Sequence, residues 1–128
     1  MWRFMVLAFL PGLAFADTVE TEAQGCMFSS DTAEVRDCLS EVFYRRGFEM
    51  DQQIASVAGS LSGATALQVD VVESKYESDQ TAWRVETDET CRSRDVVLRE
   101  LCRLSLLRSR EAELSTQLSE TVRIYGGY

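Results

Sequence analysis

Histidine is absent from the 128 residues of this chain. That removes the side chain that most often acts as general base near neutral pH and most often ligates metals. No Gly-rich phosphate loop and no nucleophile motif is present, so phosphoryl transfer and acyl transfer have no recognisable starting point. No two cysteines stand at C-x-x-C spacing, which argues against a tight zinc clamp. Proline occurs only at position 11, so no proline breaks a helix downstream of it. There is no strand-like alternation, no internal repeat and no low-complexity run. Positive charge is also scarce: 13 Lys+Arg against 21 Asp+Glu give a formal charge of −8. A chain this acidic is a poor ligand for nucleic acid or for an anionic membrane face, and electrostatics favour a basic protein partner. The expectation is a chain that is not an enzyme and uses neither cofactor nor metal.

The first residues have a separate purpose. Arg3 precedes the apolar run FMVLAFLPGLAFA, which ends in Ala14-Phe15-Ala16. A short basic start, a short apolar core and an A-x-A site together have the form of a secretory signal peptide cleaved after Ala16. The run falls short of the ~20 apolar residues of a membrane span. Residues 17–128 would then form one domain in the periplasm or outside the cell, with no stable membrane insertion. Loss of Arg3 takes the charge to −9.

Within the mature chain the apolar residues follow a helical period. Residues 17–29 are polar and read as an irregular arm pinned at Cys26. Asp31, with Glu34 three residues on, has the form of a capping box. From there Val35, Leu39, Val42, Met50, Ile54, Val57 and Leu61 make one apolar stripe. Gly47 lies inside this helix and predicts a bend or break, with Asp51 capping a restart or lying on the surface. The cluster Gly59-Ser60-Leu61-Ser62-Gly63 ends it. A second helix runs from about Ala64 or Thr65 to Cys91, buried along Val69, Val72, Tyr76, Gln80 and Trp83. Arg92-Ser93-Arg94 makes the turn, with Ser93 a possible cap. A third helix spans roughly Asp95 to Ile124 on Val97, Leu101, Leu104, Leu107, Leu114, Leu118 and Val122, before a frayed end from Tyr125. The fold class is all-α: a bundle of three long antiparallel helices. The acidic second helix and the basic first half of the third favour docking along complementary flanks, although each exposed pair contributes only about 0–1 kcal/mol.

Four cysteines in an exported chain suggest two disulfides, and four allow three connectivities. Cys26–Cys38 and Cys91–Cys102 are favoured, one stapling the arm to the first helix and one closing the helical hairpin. Cross-links between the first helix and the hairpin, or zinc on four thiolates, are the alternatives.

The ordered set Cys26, Thr32, Cys38, Asp51, Gln80, Trp83, Asp88, Cys91, Cys102, Arg110 and Leu114 resembles the LprI-like proteins of bacteria, a family named after a lysozyme inhibitor. The match covers nearly the whole mature chain. It departs from the family pattern at Glu86 and Thr87, where an aromatic and an arginine are usual, at Ala55, and in a shorter connector between the last two cysteines. The resemblance implies a secreted or periplasmic helical protein and, more loosely, lysozyme inhibition.

Individual residues then take roles. Trp83, on the apolar stripe, is a core anchor rather than an interface anchor. Asp88 and Arg110, on neighbouring helices, are expected to form a structural ion pair; a catalytic role for Asp88 lacks a second acid at a defined distance. Arg92 and Arg94 form a candidate partner interface, because a rigid basic turn suits a lysozyme cleft, which works with two carboxylates. The leading reading is non-catalytic protein binding by occlusion of that cleft. The alternative is an envelope structural or assembly-adaptor protein that packs on a partner helix.

Overall fold

Thr18, Asp31, Thr65 and Asp95 each lend a side-chain oxygen to the backbone amides of a first helical turn. Such caps satisfy donors that have no partner inside the helix. They divide the chain into α1 (Val19–Cys26), α2 (Thr32–Gly59), α3 (Ala66–Thr90) and α4 (Val96–Tyr125). This is a computed structural model, and it describes residues 18–127. Those residues contain helices and no strand. The expected signal segment, 1–16, lies outside them.

The all-α class and the three long helices are as expected, but the arm before them is a fourth helix. Thr18 accepts from the amide of Thr21, and Glu20 and Glu22 stand in the first turn, where the helix dipole favours acids. Val19, Ala23 and Cys26 recur at helical spacing and pack onto the core. An eight-residue helix is marginal alone and is held here by tertiary contact, so composition conceals it.

α2 also differs from expectation, being continuous through Gly47. The cost of one helical glycine, about 1 kcal/mol, is small beside the burial of Leu39, Val42, Phe43, Met50 and Ile54 on the same helix. Gly47 is buried, and the Arg84 guanidinium approaches its carbonyl at 3.4 Å. Asp51 caps no restart and instead accepts from Arg84 at 2.8 Å. The expected capping box at Asp31 is half formed. Asp31 accepts from Ala33 N, but Glu34 takes the Ser29 hydroxyl at 2.6 Å. A complete box occurs at Thr65 and Gln68. Asp95 rather than Ser93 caps α4, while the Ser93 hydroxyl accepts from Asp95 N.

α2 and α4 run parallel: Tyr44 meets Arg103, and Arg46 meets Glu111. α1 and α3 run antiparallel to them, as the Glu22–Arg46 and Arg84–Asp51 pairs show. Between the helices lie Leu39, Leu104, Leu107 and Leu114, the largest fully buried apolar side chains. At one end of the bundle sit the turn into α2 and the turn into α4. At the other end the α2–α3 turn closes on the C-terminus, where Gly63 N donates to the Tyr125 carbonyl and the Ser62 hydroxyl to that of Gly126. A side chain at Gly63 would lie 2.7 Å from Gly127 N, and Gly127 has φ +86°. The end read as frayed is therefore pinned as far as Gly127.

Replacing fully buried Leu107 by alanine is expected to cost about 3 kcal/mol, whereas replacing exposed Leu98 should change stability by less than about 0.5 kcal/mol. Urea unfolding of the oxidised protein checks both values; equal midpoints would contradict this assignment of the core.

Candidate functional site

The cysteines bond as Cys26–Cys38 and Cys91–Cys102, each with Cα atoms 5.5 Å apart. All four sulfurs are thereby used, so no four-thiolate zinc site forms, and the cross-link from first helix to hairpin is not made. Among the described residues no cluster of three or more His, Cys, Asp or Glu is arranged to hold a metal ion, and no helix is long and apolar enough to cross a membrane. The bridges close loops with sequence separations of 12 and 11. Loops of that size stabilise by about 3 kcal/mol each in the chain-entropy account. Because α2 and α4 are parallel, Cys38 and Cys102 both lie near the starts of their helices. Both clamps therefore hold the same end of the molecule.

Two turns project from that end. On the first, Phe28 is 90% exposed and Met27 is exposed beside it. The second carries Arg92 and Arg94, both exposed. Among the described residues, every other arginine and the single lysine form an ion pair with a carboxylate. Only Arg92 and Arg94 do not. The aspartates on the same turns, Asp31 and Asp95, are occupied as helix caps. The two cations without a carboxylate partner among the described residues thus stand on one disulfide-closed turn. Charge and position single out the arginine turn in the sequence; the exposure of Phe28 at the same end has no such signal, because residues 17–29 read only as an irregular arm.

The expected Asp88–Arg110 pair is not formed. Arg110 is buried and donates from Nε to Gln80 Oε1 at 2.6 Å and from Nη1 to Glu113 at 3.0 Å. Asp88 is exposed and faces Arg103 Nε at 3.6 Å. Gln80 lies between α2 and α4 and carries the network on, its amide reaching Asp51 at 3.4 Å. Position along α3 explains the exchange: Gln80 and Thr87 share the buried face, and Asp88, one residue further, points off it. Asp51, Gln80 and Arg110 therefore tie three helices together by one polar chain. It borders a cleft of about 250 Å³ lined by Asp51, Glu73, Glu77, Gln80, Thr81 and Arg84. Trp83 is half-buried and stacks on buried Phe43 at 5.9 Å between centroids, packing against the core. Arg103 lies over the other side of this group, 4.2 Å from the Phe43 centroid. Burial opposes its charge, but the Tyr44 hydroxyl, Glu100 and Asp88 outweigh that and leave its pKa raised.

The complementary flanks expected between α3 and α4 contribute little; Asp88–Arg103 is the one ion pair between these helices among the described residues. The α4 arginines pair elsewhere: Arg99 and Arg103 with Glu100, Arg108 with Glu20, Arg110 with Glu113. Arg46 joins three helices instead, binding Glu111 of α4 at 2.9 and 3.0 Å and Glu22 of α1. Hydrogen bonding to Glu111 raises its pKa, against the opposing effect of burial, and Glu22 adds to the rise.

No family model, no curated protein and no solved structure matches this chain.

Double-mutant cycles separate the two pairings of Arg110. Coupling between Gln80 and Arg110 is expected above about 1 kcal/mol, and coupling between Asp88 and Arg110 below about 0.5 kcal/mol. Denaturant unfolding of the single and double alanine variants measures both; the reverse order would restore the pairing expected from sequence.

Proposed function

We propose that this protein is a non-catalytic protein-binding module of the secreted or periplasmic compartment, and that it inhibits a lysozyme by inserting its disulfide-closed end into the substrate cleft. One observation carries the reading: the only cations without a carboxylate partner among the described residues, Arg92 and Arg94, stand together on the turn closed by Cys91–Cys102. A glycosidase cleft of this type holds two carboxylates flanking the scissile bond. Arginine suits such a target, because its planar guanidinium can engage a carboxylate with two parallel hydrogen bonds.

Rigidity makes the arrangement efficient. A turn fixed by a disulfide loses less conformational freedom on binding than a free loop. Phe28, at the same end, supplies an apolar anchor of the kind that dominates interface energetics. The remaining surface is acidic and would draw a basic enzyme in by long-range attraction, raising the association rate more than the affinity. No covalent step is needed: occupancy of the cleft excludes the polysaccharide. The absence of histidine fits a surface that binds without turning over its partner.

Arg92→Ala/Arg94→Ala is expected to weaken inhibition at least about tenfold, the loss corresponding to 1.4 kcal/mol of binding, while leaving thermal stability within about 0.5 kcal/mol. Clearing of cell-wall suspensions by lysozymes of several types, titrated with oxidised protein, measures this. Near-stoichiometric inhibition that depends on the two arginines supports the reading. Inhibition unchanged in the double variant, or no inhibition of any lysozyme, contradicts it.

A further inference from the structure

A second surface is independent of the arginine turn. The buried residues of α3 are Tyr76, Gln80 and Thr87. None of its branched aliphatic side chains is among them: Leu67, Val71 and Val85 are exposed, and Val69 and Val72 half-buried. By contrast α2 places Val35, Leu39, Val42 and Ile54 in the core. Tyr76, Trp83 and Val72 pack on the core, whereas Leu67, Val71 and Val85 contribute little to the bundle they belong to.

Their spacing is ordered. Leu67, Val71, Ser74, Ser78, Thr81 and Val85 follow one another at alternating intervals of four and three, and all are exposed. Such a line is one along which another helix can pack; here it is apolar at Leu67, Val71 and Val85, with the small polar Ser74, Ser78 and Thr81 between them. The line spans about 27 Å at 1.5 Å per residue. Leu67 is 73% exposed, Val71 61% and Val85 56%, while the small side chains between them leave room for larger ones from a partner. No charged residue interrupts it.

The flanks select the occupant. Beside this line α3 carries exposed Asp70, Glu77, Glu86, Asp88 and Glu89 against Lys75 and Arg84, while Glu73 and Asp79 are half-buried. Both cations are already committed, Lys75 to Asp79 at 3.1 Å and Arg84 to Asp51 at 2.8 Å. A second copy packed along this face would set like charges against each other, which disfavours self-pairing. We propose that the outer face of α3 is a docking site for an amphipathic helix of another protein, with a bulky apolar seam and lysine or arginine on its flanks.

The test uses the oxidised mature protein labelled for NMR and a synthetic heptad peptide of matching length, leucine at its seam positions and lysine on its flanks. Amide shifts are expected to move at Leu67, Val71, Ser74, Ser78 and Val85, and to stay fixed at Arg92 and Arg94. Val71→Asp/Val85→Asp should weaken binding at least about tenfold. This variant changes exposed side chains only, and circular dichroism checks that it is folded. It also adds negative charge, so a merely electrostatic association would tighten. A second peptide with glutamate flanks should bind at least about tenfold more weakly than the lysine peptide. The proposal is overturned by no binding of the lysine peptide, by shifts mapped to another face, by undiminished binding to the aspartate variant, or by equal affinity for both peptides. Concentration-dependent dimerisation through α3 would overturn it too, by making a second copy the occupant.

Discussion

Two sulfur bridges at one end of a parallel helix pair set the conditions for everything else. Cys26–Cys38 ties α1 to α2, and Cys91–Cys102 ties the end of α3 to the start of α4. A chain of this size buries only a modest core, and cross-links that restrict the unfolded state offset part of the ordering entropy. Their placement matters as much as their number. Both turns next to them lie at the clamped end, so two of the three turns between the described helices are closed by a disulfide. The opposite end has no disulfide and is closed by hydrogen bonds and buried Leu61, with Gly63 and Gly127 in close approach.

Charge is distributed with similar economy. Arg46 fastens α1 and α4 to α2, and Arg110 and Gln80 fasten α4 to α3. Such part-buried pairs contribute more than exposed ones, because solvent screens them less. Exposed pairs such as Lys75–Asp79 add a few tenths of a kcal/mol at most. Once these roles are filled, two arginines remain among the described residues, and they stand on the turn closed by Cys91–Cys102. The acidic excess falls on α3, whose outer face pairs it with an apolar seam.

Much of this was legible in the residues. The three long helices follow from leucines and valines at three- and four-residue spacing, and most of their ends from Asp31, the Gly59–Gly63 cluster and Ala64-Thr65, whereas Ser93 is the expected cap of α4 and Asp95 takes that place. The favoured disulfides follow from short sequence separations. What stayed hidden had physical causes. α1 is too short to nucleate alone, so only its packing against α2 and α4 makes it a helix. Gly47 suggested a break because local propensity was weighed without the burial of its neighbours. Asp88 seemed the partner of Arg110 because a helix face shifts by 100° per residue, and a one-position error moves a carboxylate from the interior to solvent. Gln80 was read as an ordinary member of the apolar stripe, although a buried amide requires partners and finds them in Arg110 and Asp51.

The claim on which the account turns is that the clamped end is the face that meets the partner. Hydrogen exchange of the oxidised protein, measured alone and with a lysozyme in excess, addresses it without any substitution. The account predicts slowed exchange confined to residues 27–31 and 91–98, with α3 and the opposite end unchanged. Protection elsewhere with those two turns unaffected, or exchange identical with and without the enzyme, would contradict it.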